Sequence, residues 1–189
     1  MFNQRLIVLV SAFLSLAALL PQPLRAEERN ISPEKLSEIA AWVTSRFEMP
    51  PTSVMPNVIF TPQAQLELRR YGRVFNSVRE GSSQSPSVPR GSETFPAVHR
   101  DLVAIYDDAT QTIYLSDQWM ASSIADQSVL VHEMVHHMQK QAGLKYACGG
   151  ARERPAYLAQ KKWLEDHGLD LEQEFQIDMF TIVAMSACI

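Results

Sequence analysis

Cysteine is scarce: the 189 residues contain two, Cys148 and Cys188, with no CxxC spacing to support a thiolate metal site. Positive charge is not in excess either. Seventeen basic residues face 21 acidic ones, a net charge of −4, so nothing in the balance points to nucleic acid as a partner. Long apolar runs are limited to one, Leu6 to Leu20, whose 15 residues fall short of the roughly 20 that span a bilayer as a helix. No cysteine follows that run closely, so a lipoprotein is not suggested.

The run does suit a secretory signal. Met1 to Arg5 give a short positive start, and Leu24-Arg25-Ala26 ends on a small residue before the polar Glu27-Glu28-Arg29, so cleavage is expected after Ala26. Retention as an uncleaved anchor is the other reading. Residues 1–26 are therefore expected to be a signal peptide and 27–189 a single domain, exported to the periplasm or secreted. In an oxidising compartment two cysteines without other options bridge, so a Cys148–Cys188 disulfide is expected. No stable membrane span is expected after cleavage.

The expected architecture is α+β and mostly helical. Ser32-Pro33-Glu34 supplies a capping hydroxyl, a first-turn proline and an early acid, and Leu36, Ile39, Ala40 and Val43 continue at helical spacing to about Phe47. After Pro50, Pro51 and Pro56, the run Asn57 to Thr61 reads as a short strand, and Thr61-Pro62 opens a second helix toward Tyr71-Gly72. Gly81 to Ser92 is a Ser-, Pro- and Gly-rich surface loop. Leu102 to Tyr106 and Gln111 to Leu115 are β-rich runs joined by Asp107-Asp108-Ala109-Thr110, which predicts an antiparallel hairpin. Its free edge either binds an extended peptide as an added strand or simply covers the core. Further helices are expected over about Ser123 or Asp126 to Gln141, Ala151 to Asp166, and Leu171 to Ala187. The last of these is apolar on most faces, which predicts a central buried support, although Asp178 argues against a membrane span.

One segment carries chemistry. Val131-His132-Glu133-Met134-Val135-His136-His137 contains HExxH. A helix turns about 100° per residue, so His132 and His136 lie one turn apart on one face and both imidazoles can reach one zinc ion. Glu133 stands on the flank of that face, where it can take a proton from an attacking water. Leu130, Val131, Met134, Val135 and Met138 form a core arc that does not use the histidines, leaving His132, Glu133, His136 and Gln139 on the other.

A catalytic zinc usually needs a third protein ligand. Glu153 is the candidate, 17 residues after His136, in the first turn of a helix whose Glu153, Tyr157, Gln160 and Leu164 share a stripe. Glu165 and Asp170 are the next to test. Tyr157 is the candidate oxyanion donor, against the plainer role of a partly buried aromatic. His137 reads as a helix-surface histidine more readily than as a group orienting Glu133, and His99 and His167 have no assignable partner.

With HExxH on one helix and Glu153 on the next, the chain resembles the gluzincin branch of the zincin metallopeptidases. The hairpin before the helix is similar to the minimal zincin core. Val129 to His137 followed by Glu153-Arg154-Pro155-Ala156-Tyr157 looks like small bacterial domains of this type. The resemblance implies a zincin-like domain with the hairpin packed beside the HExxH helix, one zinc ion on His132, His136 and Glu153, and Glu133 as general base. It implies a hydrolase, a metalloprotease acting on a peptide or protein substrate. The departure is the lack of a recognisable substrate domain. A noncatalytic cell-envelope binding protein that retains the scaffold and the zinc site is the competing expectation.

Overall fold

The computed structural model of the chain describes residues 31–70 and 103–188. The signal at 1–26, the Gly81–Ser92 loop, Tyr71-Gly72, His99 and the start of the first hairpin strand lie outside the described residues. What is described is a mixed α+β fold. Helix α1 (Pro33–Phe47) starts where Ser32 accepts the Lys35 amide at 3.2 Å and ends at Glu48, whose φ of 53° is left-handed. Strand β1 (Asn57–Thr61) follows, and residues 63–70 are helical. Strands β2 (Ala104–Asp107) and β3 (Thr112–Ser116) form the expected hairpin. Its turn is closed by Asp107, which accepts from the Ala109 amide and the Thr110 hydroxyl, both at 3.1 Å.

The sheet is larger than a hairpin. Its order is β1-β3-β2, with β2 antiparallel to β3 and β1 parallel to it, Asn57 opposite Thr112 and Thr61 opposite Ser116. The expectation of a purely antiparallel sheet is thus corrected. A parallel partner is invisible to local hairpin signals because its connection is long. Being central, β3 is buried along its whole length.

Helix α2 (Ile124–Gln141) carries HExxH. Ser123 caps it by accepting the Asp126 amide at 3.1 Å, and Gly143, at φ +62°, follows its end. The helix is buried on every side from Ser128 to Gln139. Its apolar arc meets the main core together with Ile39, Val43, Ile113, Leu115 and Trp119, and β2 and α1 also pack on it. A one-turn 3₁₀ segment, Gly150–Arg152, leads into α3 (Glu153–Asp166), which lies against the histidine-bearing side. Trp163 of α3 meets Trp42 of α1 edge-on at 5.1 Å.

The expected long terminal helix is instead two short ones, α4 (Leu171–Phe175) and α5 (Met179–Met185). Gln176 takes a left-handed φ of 57°, and Asp178 caps α5 by accepting the Thr181 amide at 2.7 Å. Neither is a central support. Only Leu171 and Ile182 are buried, in a small cluster with Leu164, and Phe180 is 80% exposed. The central place belongs to α2. The Cys148–Cys188 disulfide forms, with Cα atoms 5.7 Å apart, and ties the segment before α3 to the chain end. No helix among the described residues is long and apolar enough to cross a membrane.

Candidate metal centre

Helical spacing places His132 and His136 on one wall, and the turn at Gly150–Arg152 delivers Glu153 to the other. Three atoms converge. His132 Nε2 and His136 Nε2 are 3.2 Å apart, and Glu153 Oε2 is 3.3 Å from each. Two ligands of one tetrahedral zinc, each at about 2.0–2.1 Å, stand about 3.3–3.4 Å apart. The triangle therefore has the edge length that a shared ion requires. Among the described residues this is the group of His, Cys, Asp and Glu side chains close enough to hold a metal.

Its electrostatics favour a positive charge between the three donors. Burial pushes the Glu153 carboxyl up, but hydrogen bonds from His132 and His136 outweigh it and hold the group well below the usual carboxylate range. Burial lowers His136, and its hydrogen bond to Glu153 with the nearby Glu133 and Glu153 charges reverses this, leaving the imidazole above its ordinary value. Glu153 is thus ionised at neutral pH, as a ligand must be.

Glu133 is buried on the same helix, one residue from His132. The Tyr157 ring packs edge-on against His132, centroids 4.5 Å apart. Its hydroxyl reaches Met185 Sδ at 3.9 Å, a weak contact. Burial and the Glu153 charge push this phenol up to about 12, so it keeps its proton across the neutral range.

His132, Glu133, His136, Glu153 and Tyr157 are thus neighbours. The reserve ligands are elsewhere: Glu165 pairs with Lys161, and Asp170 caps α4 by accepting the Glu172 and Gln173 amides. His167 places Nδ1 2.7 Å from the Trp163 carbonyl. His137 is not a surface histidine. It is fully buried, bonded to the Val54 carbonyl and the Tyr106 hydroxyl, because α2 has no exposed side at that height.

Three residues around the triangle escape a motif reading. Gln139 lies 3.1 Å from His136 Nδ1 through Oε1 and donates to the Arg152 carbonyl at 2.9 Å, while Arg152 forks onto Asp108 at 2.6 and 3.1 Å. Gln139 is one helical turn beyond His136, which is the one sequence signal for it. Asp108 reads locally as turn chemistry.

A family model described as a domain of unknown function, DUF6647, matches residues 28–189. The chain belongs to this family. The match takes in every residue of the triangle and both cysteines of the disulfide. No curated protein and no solved structure matches the chain.

Proposed function

We propose that this DUF6647 protein is an exported, zinc-dependent peptidase with a zincin-like, gluzincin-type site. The observation that carries the reading is the triangle of His132 Nε2, His136 Nε2 and Glu153 Oε2, with a buried glutamate, Glu133, in the position next to the first histidine. The disulfide supports export, since such bonds persist in oxidising compartments.

His132, His136 and Glu153 would hold one zinc ion. When bound, zinc supplies Lewis acidity, making a water nucleophilic near neutral pH and polarising a carbonyl. Glu133 removes the proton from the attacking water and returns it to the leaving amine, so its carboxylate alternates between base and acid. Tyr157 fixes the His132 ring by its edge-on packing and, still protonated, offers a hydroxyl to the developing oxyanion. With a base beside the metal ligands the site is suited to hydrolysis. A purely structural zinc prefers four protein ligands, and three are gathered here among the described residues.

The test is metal analysis of the full chain purified from an oxidising compartment, followed by digestion of a peptide library. The expected result is one zinc per chain in the wild type, loss of zinc in Glu153→Ala, and cleavage that disappears in Glu133→Gln. A wild type without stoichiometric zinc would overturn the reading. Zinc with no Glu133-dependent cleavage would replace it with the noncatalytic binding scaffold.

A further inference from the structure

A metal-binding histidine is oriented by what its second ring nitrogen does, and here the two histidines differ. His132 Nδ1 is buried and has no hydrogen-bond partner among the described residues. His136 Nδ1 lies 3.1 Å from the amide oxygen of Gln139, a side chain only 2% exposed.

The orientation of that amide is set from its other end. Gln139 Nε2 faces the Arg152 carbonyl at 2.9 Å, and a carbonyl only accepts, so the NH₂ group is on that side. Oε1 then faces His136 and must accept, which places a proton on His136 Nδ1. The remaining nitrogen, Nε2, 3.2 Å from His132 Nε2 and 3.3 Å from Glu153 Oε2, is the one that would face a bound ion. Tyr146 is a further hydrogen-bonding neighbour of the amide.

The far end of the relay is equally placed. Arg152 is the residue immediately before Glu153, and its guanidinium is gripped in a fork by Asp108, in the turn between β2 and β3. One amide therefore spans from a ligand on α2 to the backbone that launches the ligand on α3. The hairpin holds that backbone from outside.

We propose that Gln139 is a positioning residue of the metal centre, which selects the His136 tautomer and registers His136 against Glu153 through the Arg152 carbonyl. The role rests on the zinc reading; the tautomer itself does not. Groups in this position typically change metal affinity 10–100-fold when removed. Gln139→Met, which keeps side-chain volume and loses both hydrogen bonds, is expected to bind zinc about 10–100-fold more weakly in a competition titration. It is also expected to alter the visible spectrum of the cobalt-loaded chain. Gln139→Glu keeps the acceptor for His136 and loses the donor to Arg152, and its affinity is expected between the two.

Histidine ¹⁵N NMR on the chelator-treated wild type supplies a readout that no variant has to fold for. A proton on His136 Nδ1 is expected, and a bare Nδ1 overturns the proposal. A folded Gln139→Met with wild-type zinc affinity and cobalt spectrum overturns the positioning role alone. If the wild-type chain binds neither zinc nor cobalt, the metal reading and the positioning role both fail, whatever the tautomer.

Discussion

His137 donates from Nε2 to the backbone carbonyl of Val54, 2.6 Å away and 83 positions earlier in the chain. Because that carbonyl can only accept, Nδ1 is the acceptor, and the Tyr106 hydroxyl donates to it at 3.2 Å. Burial lowers the imidazole below its ordinary value, consistent with this neutral form. The ring thus braces α2 against the 48–56 segment and β2. Replacing it leaves a buried cavity and two polar groups without their partner, so His137→Ala is expected to lower stability by about 2–4 kcal/mol. Urea unfolding of the metal-free chain measures this. Folded variant should still bind one zinc; loss of the metal from a folded variant would instead assign His137 to the site.

The contrast between His136 and its neighbour shows where sequence reasoning reaches. The grouping of His132, His136 and Glu153 was legible because helical periodicity is local and the connection after the HExxH helix is long enough to fold a second helix back on it, and the disulfide because two cysteines have one pairing. His137 was not, since its partners arrive from Val54 and Tyr106 and neither leaves a mark near residue 137. The terminal segment misled for the opposite reason. Apolar residues on most faces look like a core helix, yet Gln176 in a left-handed conformation and the Asp178 cap split it, and Phe180 and Val183 face outward. The order of hairpin, HExxH helix and following helix was readable. The parallel strand β1 beside β3 was not, because pairing across a long connection has no local signature.

Asp108 is the group whose charge holds Arg152 in place. The Arg152 hydrogen bonds draw its carboxyl below the usual value. A carboxylate whose folded pKa lies below its unfolded one adds stability that is complete above the unfolded value, near 3.8, and is lost as pH falls below it toward the folded pKa. Its side chain is 44% exposed, so solvent screening limits the contribution to under about 1 kcal/mol. Asp108→Asn should therefore lower stability slightly at pH 6 and flatten the loss of stability as pH falls below the carboxyl's ordinary value. Thermal melts of wild type and variant across that range give the comparison; parallel pH curves would remove Asp108 from the account.

The disulfide closes a loop containing all of α3, α4 and α5. Chain entropy assigns a closure of this length about 4 kcal/mol. The same junction admits no side chain at Gly150, where a Cβ would stand 2.9 Å from the Met185 carbonyl oxygen and 3.0 Å from that of Ala187. Both features press the chain end against the turn that delivers Glu153. The Cys148→Ser/Cys188→Ser pair is expected to lose about 3–4 kcal/mol, and Gly150→Ala about 1–3 kcal/mol, in denaturant unfolding. A Gly150→Ala chain as stable as wild type would mean that the C-terminal segment yields without cost.

Tyr157 separates packing from chemistry. Its ring touches His132, whereas its hydroxyl meets the Met185 sulfur among the described residues. Tyr157→Phe keeps the ring and is expected to leave stability within about 0.5 kcal/mol and zinc affinity within about twofold. If the hydroxyl serves the oxyanion, kcat falls by about 10²-fold with KM nearly unchanged. Tyr157→Ala removes the support of His132 and should weaken zinc binding as well. Full turnover by Tyr157→Phe would reduce this residue to a packing element.

In the proposed reaction it is Glu133 on which hydrolysis, as opposed to metal binding, depends. It is buried beside the ligand pair but is not one of the three donors in the triangle. Glutamine has nearly the same size and can be accommodated there, so Glu133→Gln should fold and retain one zinc per chain. What it lacks is a carboxylate to take the proton from the attacking water and to hand it to the leaving amine. General-base catalysis contributes about 10²–10⁴-fold, and a drop of that size in kcat with unchanged zinc content is the expected outcome. A variant that has lost its zinc would show that Glu133 supports the ligands, and one that cleaves at the wild-type rate would move the base to another side chain.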